Sequence, residues 1–182
     1  MEHSKIAISR KQQSGEVIGI IFRHKSRAAK AVNEELLLTA WYVGGYVSTK
    51  LKNEEWGSKV VIQLSEYIRS KYPDLKGYSR RNIYNIISFY EEYSSETFIV
   101  TVEKYLNSEF VQPKTAQIAQ PRSGQMPKIL ELNTLTNHIE ILCLCKSNEE
   151  HMFYILYANL LFFHRGLQAL IAVFPKSVCK NS

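Results

Sequence analysis

The sequence predicts an all-α fold, a helical domain built around a helix-turn-helix core. Three observations predict it. Apolar residues recur at three-to-four spacing along most of the chain, as one buried helix face requires. A break marked by Pro and Gly, Pro73-Asp74-Leu75-Lys76-Gly77, separates two short amphipathic stretches. No stretch alternates apolar with polar residues strongly enough to mark a strand. The length of 182 residues suits one domain with tails, and 45% hydrophobic with 22% charged residues is enough for a substantial core and unlike a disordered chain.

Taken in order, residues 1–24 form an N-terminal segment, partly helical. Its apolar patch, Val17 to Phe22, is too short to span a bilayer and lacks a small-residue cleavage motif. Residues 25–106 are the expected core. The helical pattern runs from Val17 to Leu51 through Ala28, Ala31, Val32, Leu36, Leu37, Ala40, Trp41 and Val43. Gly44-Gly45 interrupts it at a propensity cost of roughly 2 kcal/mol, which implies a bend or the close approach of another helix. Asn53-Glu54-Glu55 starts the next predicted helix, with Val60, Val61, Leu64, Tyr67 and Ile68 inward and an end before Pro73. Gly77 supplies the positive φ that the turn needs.

Ser79 caps the following helix, whose inner face is Ile83, Ile86, Ile87 and Tyr90. These two helices are the helix-turn-helix, about residues 55–93. Another helix spans Glu96 to Leu106. Residues 107–128 hold three of the five prolines and four glutamines with few large apolar side chains, the composition of a flexible linker. Residues 129–174 read as a C-terminal helical part folding back on the same core, and 175–182 as a tail. Within it Leu130 to Lys146 is helical, and Ser147 with Glu150 forms a capping box. That box opens a helix burying Phe153, Tyr154, Leu156, Tyr157, Leu160 and Leu161, and Arg165 to Val173 begins one more element.

Chemistry-bearing groups are few. A carboxylate metal site needs at least two acidic groups, yet Asp74 is the one aspartate, and it stands in a turn where Pro, Asp and Gly serve the backbone. His3, His24, His138, His151 and His164 show neither an HExxH nor a paired Cys/His spacing. Cys143 and Cys145 point about 200° apart on a helix, unsuited to a shared metal or a disulfide. With Cys179 the count is odd, which favours a reducing cytoplasm. No GxSxG elbow or phosphate-binding glycine loop occurs. No catalytic residue, metal or cofactor is therefore expected, and no membrane partner.

Net charge is +6 with a pI near 9.2, a balance that favours nucleic acid or another anionic surface. Arg80 and Arg81 open the capped helix, where they can pair with phosphates or reach guanine edges; Asn82 and Asn85 suit adenine. The helix N-terminus itself favours a phosphate. Tyr84 lies off the inner face with them, Ser79 and Tyr78 flank the start, and Lys59 and Lys76 can add phosphate contacts, as can Lys50, Lys52, Arg69 and Lys71. The competing reading is a plain solvated face. A third is an assembly module, since Trp41, Tyr42, Tyr46, Trp56 and Phe162-Phe163 offer aromatic surface of the kind that anchors interfaces.

Several segments also resemble a known family. They are Ala31-Val32-Asn33-Glu34-Glu35-Leu36, Trp41-Tyr42-Val43-Gly44, Trp56-Gly57-Ser58-Lys59-Val60, Tyr72 to Ser79, Arg81-Asn82-Ile83 and Phe89-Tyr90, with weaker likeness at Leu135–Leu142, Glu149–Tyr154 and Arg165–Leu167. Together they resemble the N-terminal domain of YhcG-type proteins, a domain of unknown function usually followed by a PD-(D/E)XK nuclease domain. The family's tryptophan near the 135–138 stretch is replaced by Leu135, and its later Trp-Ser-Val-Arg-Glu-Leu reads Phe162 to Leu167. The resemblance implies a nucleic-acid context, with the nuclease half expected to be missing. It implies non-catalytic DNA binding, or docking as a homodimer or onto a nuclease partner.

Overall fold

Six α-helices and one 3-10 turn make up the regular structure of the described residues, without a strand. The computed structural model describes residues 2–53, 59–106 and 124–161. The helices are α1 (Glu2–Lys52), α2 (Val60–Lys71), α3 (Arg80–Tyr93), α4 (Glu96–Leu106), α5 (Leu135–Leu144) and α6 (Asn148–Leu161), with the 3-10 turn at Lys128–Leu132. No described helix is long and apolar enough to cross a membrane. The chain divides into two units, residues 1–36 and 37–182.

The first unit is the leading part of α1. Helix extends through the whole N-terminal segment from Glu2, where only partial helix was expected. From Gln12 to Val32 every side chain is exposed.

The second unit holds the core, and α3 is its axis. Ile86, Phe89 and Tyr93 of α3 enter one cluster with Leu37, Ala40 and Trp41 of α1, Phe98 and Val102 of α4, and Ile129, Leu130, Ile141, Met152 and Ile155. Ile83 and Ile87 enter a second cluster with Val47 of α1 and Val61 of α2. The strong 3.6-residue periodicity of α3 explains this division: two apolar arcs about 100° apart around the helix axis face two neighbours. The aromatic side chains meet edge to face, Trp41 on Phe89 at 6.2 Å and Phe89 on Tyr93 at 5.3 Å. Each fully buried ring of this kind contributes about 2 kcal/mol by area alone.

Gly44 permits close approach rather than a bend. The helix runs through it, and a Cβ there would stand 2.5 Å from the Ile86 carbonyl oxygen and 2.9 Å from Tyr90 Cβ. Beyond that crossing, buried Ser48 donates to Glu91 Oε1 at 2.6 Å, and Lys52 pairs with the same oxygen at 3.2 Å.

Several elements differ from expectation. Residues 54–58 lie outside the described region, and α2 begins at Val60 after an uncapped Lys59. Val61 is the buried member of its face, while Tyr67 turns outward onto Tyr72. The connection from α2 to α3 is residues 72–79, longer than the three-to-four-residue turn of DNA-reading helix-turn-helix motifs. Of the expected linker, 107–123 lies outside the described residues, but its end is built into the core. Met126 and Pro127 are buried, and Trp41 Nε1–H donates to the Gly124 carbonyl at 3.3 Å.

The helix expected over Leu130 to Lys146 is broken at Asn133 and Thr134. Buried Asn133 reaches across to donate to the Ile155 carbonyl at 2.7 Å, and Thr134 caps α5 by accepting from Asn137 N–H. Asn and Thr compete with helix through such bonds. The capping box forms as read: Ser147 accepts from Glu150 N–H at 3.2 Å, and Glu150 Oε2 accepts from Ser147 N–H at 3.4 Å and from Lys146 N–H at 2.9 Å. The buried side of α6, however, is His151, Met152 and Ile155; Phe153, Tyr154 and Leu156 are half-buried and Tyr157 is exposed. This helix is apolar on nearly every side, so periodicity cannot select the inner one. The side chains of Leu160 and Leu161, and the expected element from Arg165 to Val173, lie outside the described residues.

Candidate nucleic-acid interface

The local sequence of α3 separates an anchoring side from a presenting side. Ser79 has the extended backbone of a cap (φ −65°, ψ 159°), and its hydroxyl accepts from Asn82 N–H at 3.3 Å. One of the four orphan amides at the helix start is thereby satisfied; those remaining point outward along the helix axis. The turn leading in is exposed from Tyr72 to Gly77, and Gly77 adopts φ +95°. That left-handed conformation is costly for any side chain with a Cβ.

Ser79, Arg80, Arg81, Asn82 and Tyr84 are all exposed, as is Lys76 in the turn. Asn85 is half-buried, set back from the others. The Arg80 guanidinium lies 5.9 Å from the Tyr84 ring centre, within cation–π reach. No described ion pair engages Arg80 or Arg81. Tyr78 is half-buried and packs against both clusters, so its role is to seat the turn. Lys59 is exposed at the start of α2, a twelve-residue helix about 18 Å long, and so stands at the end remote from the turn. Of the further lysines, Lys52 is engaged by Glu91 and Lys50 lies over the Tyr46 ring at 5.9 Å. Arg69 and Lys71 are exposed in the last turn of α2.

The first turn of α3 has no acidic residue and opens on two arginines. The partial positive charge at a helix N-terminus disfavours cations there by a few tenths of a kcal/mol each. Beyond the Arg80–Tyr84 contact, folding gives no reason for this pair, whereas an anion placed before the helix would meet both guanidiniums and the free amides.

Two shallow recesses sit beside α3. One, of about 420 Å³, is lined by Tyr42, Tyr46 and Val47 of α1, Leu64 and Ile68 of α2, and Leu75 of the turn. The other, of about 390 Å³, is walled by Trp41, Tyr42, Tyr46 and Tyr90. Tyr42 and Tyr46 are exposed as the aromatic-surface reading expects, but Trp41 is buried against Phe89 and Tyr90 and is not surface. Trp56, Phe162 and Phe163 lie outside the described residues. Sequence reasoning did not find these recesses, because they join side chains from three segments. The visible signal was the Tyr42/Tyr46 spacing of one helical turn.

The buried polar groups are structural. His138 Nε2–H donates to the Leu130 carbonyl at 2.8 Å, which leaves Nδ1 to accept from the Tyr93 hydroxyl at 3.3 Å. Burial drives the His138 pKa down to about 4 against the opposing pull of that carbonyl bond, with His151 nearby adding to the drop. Burial, with Cys145 and Glu92 close by, pushes the Tyr93 hydroxyl well above its ordinary range. His151 Nδ1 is 3.4 Å from Glu92 Oε1 but not aligned to bond, and neither of its ring nitrogens has a hydrogen-bond partner. Asp74 is exposed in its turn, neither Cys143 nor Cys145 is in a disulfide, and no cluster of three potential metal ligands occurs among the described residues. Cys179 lies outside them. What this surface offers is anion contact through guanidinium and amide donors flanked by aromatic side chains.

A family model described as the DUF1016 N-terminal domain matches residues 16–165. No curated protein and no solved structure matches the chain.

Proposed function

The chain belongs to the DUF1016 N-terminal domain family, the one its sequence resembles, and from that premise we propose that it is a non-catalytic module that binds duplex DNA through the start of α3. The observation that carries the reading is the pair Arg80 and Arg81 at a capped, acid-free helix start, exposed with Asn82 and Tyr84 while Ile83, Ile86 and Ile87 hold the helix from behind. Arg80 and Arg81 contact phosphates or guanine edges, Asn82 supplies a base-edge donor and acceptor, and the turn brings Lys76 to the same end of the helix. Asn85, being half-buried, contributes less, and Lys59 serves at most a phosphate remote from the others. The long connection between α2 and α3 makes this a departure from the tight helix-turn-helix, with Tyr78 packed under the turn in place of a short loop.

Fluorescence anisotropy with a labelled random duplex across a salt series tests it. We expect binding that weakens steeply with salt, since each phosphate neutralised releases counterions. Arg80→Ala with Arg81→Ala should lower affinity by at least about tenfold and flatten the salt slope by about two charges. Undiminished binding by that variant would remove α3 from the interface. The second reading, an assembly module that docks a nuclease partner or a second copy, draws on exposed Tyr42 and Tyr46 beside an apolar recess. Under it, Tyr46→Ala alters complex formation, whereas the arginine variant does not.

A further inference from the structure

Residues 1–33 carry seven basic side chains and two acidic ones, so they hold five of the chain's six net positive charges. They form the leading part of α1 and lie wholly inside the first unit. The charge that favours a polyanion is therefore concentrated on one helix. Every side chain from Gln12 to Val32 is exposed, so this helix gains little from the packing that stabilises most others. No described ion pair engages Arg23, Lys25 or Arg27, and Lys30 meets Glu34 at 3.5 Å in an exposed contact of small worth.

The placement of these cations selects the class of polyanion. At about 3.6 residues per turn, Arg23, Arg27 and Lys30 fall within an arc of about 60°, and Lys25 stands about 190° round from its centre. A lipid surface meets a helix from one side. The side of Lys25 is also that of Ile18 and Leu36, so laying it on lipid presses an ammonium among apolar groups and turns the other three cations away. A duplex groove instead carries phosphates along both walls. The major groove is about 12 Å wide and admits one helix of about 10–12 Å diameter, so cations on opposite sides of that helix reach opposite strands. Ala28 and Ala31 lie midway between the two sides, where small side chains let the backbone approach the groove floor. Arg23 to Lys30 advances about 10 Å, a length over which duplex DNA carries about six charges.

We propose that α1 from Arg23 to Lys30 is a second DNA-binding element that lies in the major groove, with Arg23, Arg27 and Lys30 on the phosphates of one strand and Lys25 on those of the other. It rests on duplex DNA being the ligand, as proposed above, and is independent of the start of α3. Anisotropy of the full chain with a labelled random duplex across a salt series reads each side separately. Arg23→Ala with Arg27→Ala should lower affinity by at least about tenfold and flatten the salt slope by about two charges, and Lys25→Ala should flatten it by about one. Alanine favours helix, so circular dichroism should show unchanged helix content. Lys104→Ala, Lys128→Ala and Lys146→Ala together, exposed cations of the second unit, remove charge elsewhere and should leave the slope unchanged. An undiminished slope in the Arg23/Arg27 variant, or an equal loss in that control, overturns the proposal. A slope that answers to the arginines and not to Lys25 overturns the groove placement. A chain that binds vesicles of anionic lipid and no duplex makes lipid the ligand and overturns it as well. Full affinity in the Arg80/Arg81 variant beside a loss in the Arg23/Arg27 variant removes the α3 reading and keeps this one; the reverse pattern removes this one alone.

Discussion

His138 shows how a single buried side chain ties this fold to pH. Its pKa falls from 6.5 to about 4, so the unfolded chain holds the proton more tightly than the folded one. The stability that follows is complete above pH 6.5 and is lost as pH falls toward 4, an effect of roughly 3 kcal/mol. Urea midpoints at pH 5.0 and 7.5 should therefore differ, and the difference should shrink in His138→Gln by about one proton's worth of slope. His151 makes the opposite case. It is buried without a hydrogen bond, and an unsatisfied polar ring costs more than an apolar group of like size. We expect His151→Leu to be neutral or stabilising by up to about 1 kcal/mol at pH 7.5; a loss above about 2 kcal/mol would show that the Glu92 contact holds α6 in place. Neither role was legible from spacing, since a histidine inside an apolar run reads alike whether it is bonded or orphaned.

At the scale of elements, the crossing of α1 and α3 is the least tolerant joint. Gly44→Ala drives a methyl into backbone, the Ile86 carbonyl oxygen, and should cost about 2–4 kcal/mol by thermal denaturation. At Gly45 the added atom meets the Tyr90 ring, which can swing, so Gly45→Ala should cost less. The order of the two variants is the check. The α6 cap gives a smaller test: Ser147→Ala should lose about 1 kcal/mol, and Glu150→Ala a similar amount because it frees two amides. Helix existence was well marked in the sequence wherever a polar face opposed an apolar one: the limits of α4 were read directly, and so were Ile83, Ile86 and Ile87 of α3, though buried Phe89 and Tyr93 were missed and Tyr90 is only half-buried. It failed where that contrast vanished. The all-round apolar α6 hid Met152 and Ile155, and the break at Asn133 depends on the distant Ile155 carbonyl.

At the scale of the molecule, the family and the all-α class were legible because both rest on local pattern and ordered segments. The exposure of Ser79, Arg80, Arg81, Asn82 and Tyr84 was legible for the same reason. The surroundings of the candidate site were not, since the recesses and the burial of Trp41 arise from segments far apart in sequence. The division of labour within α3 has one more consequence. Ile83 and Ile87 belong to one cluster, Ile86, Phe89 and Tyr93 to the other, so this helix cannot unfold without opening both clusters. In native-state hydrogen exchange the amides of α3 between Ile87 and Tyr93 should be the slowest of those in residues 37–161, exchanging only through global unfolding. Duplex DNA, if it contacts the first turn, should then slow exchange at the far end of the helix as much as beside the contact, by the same factor as it raises overall stability.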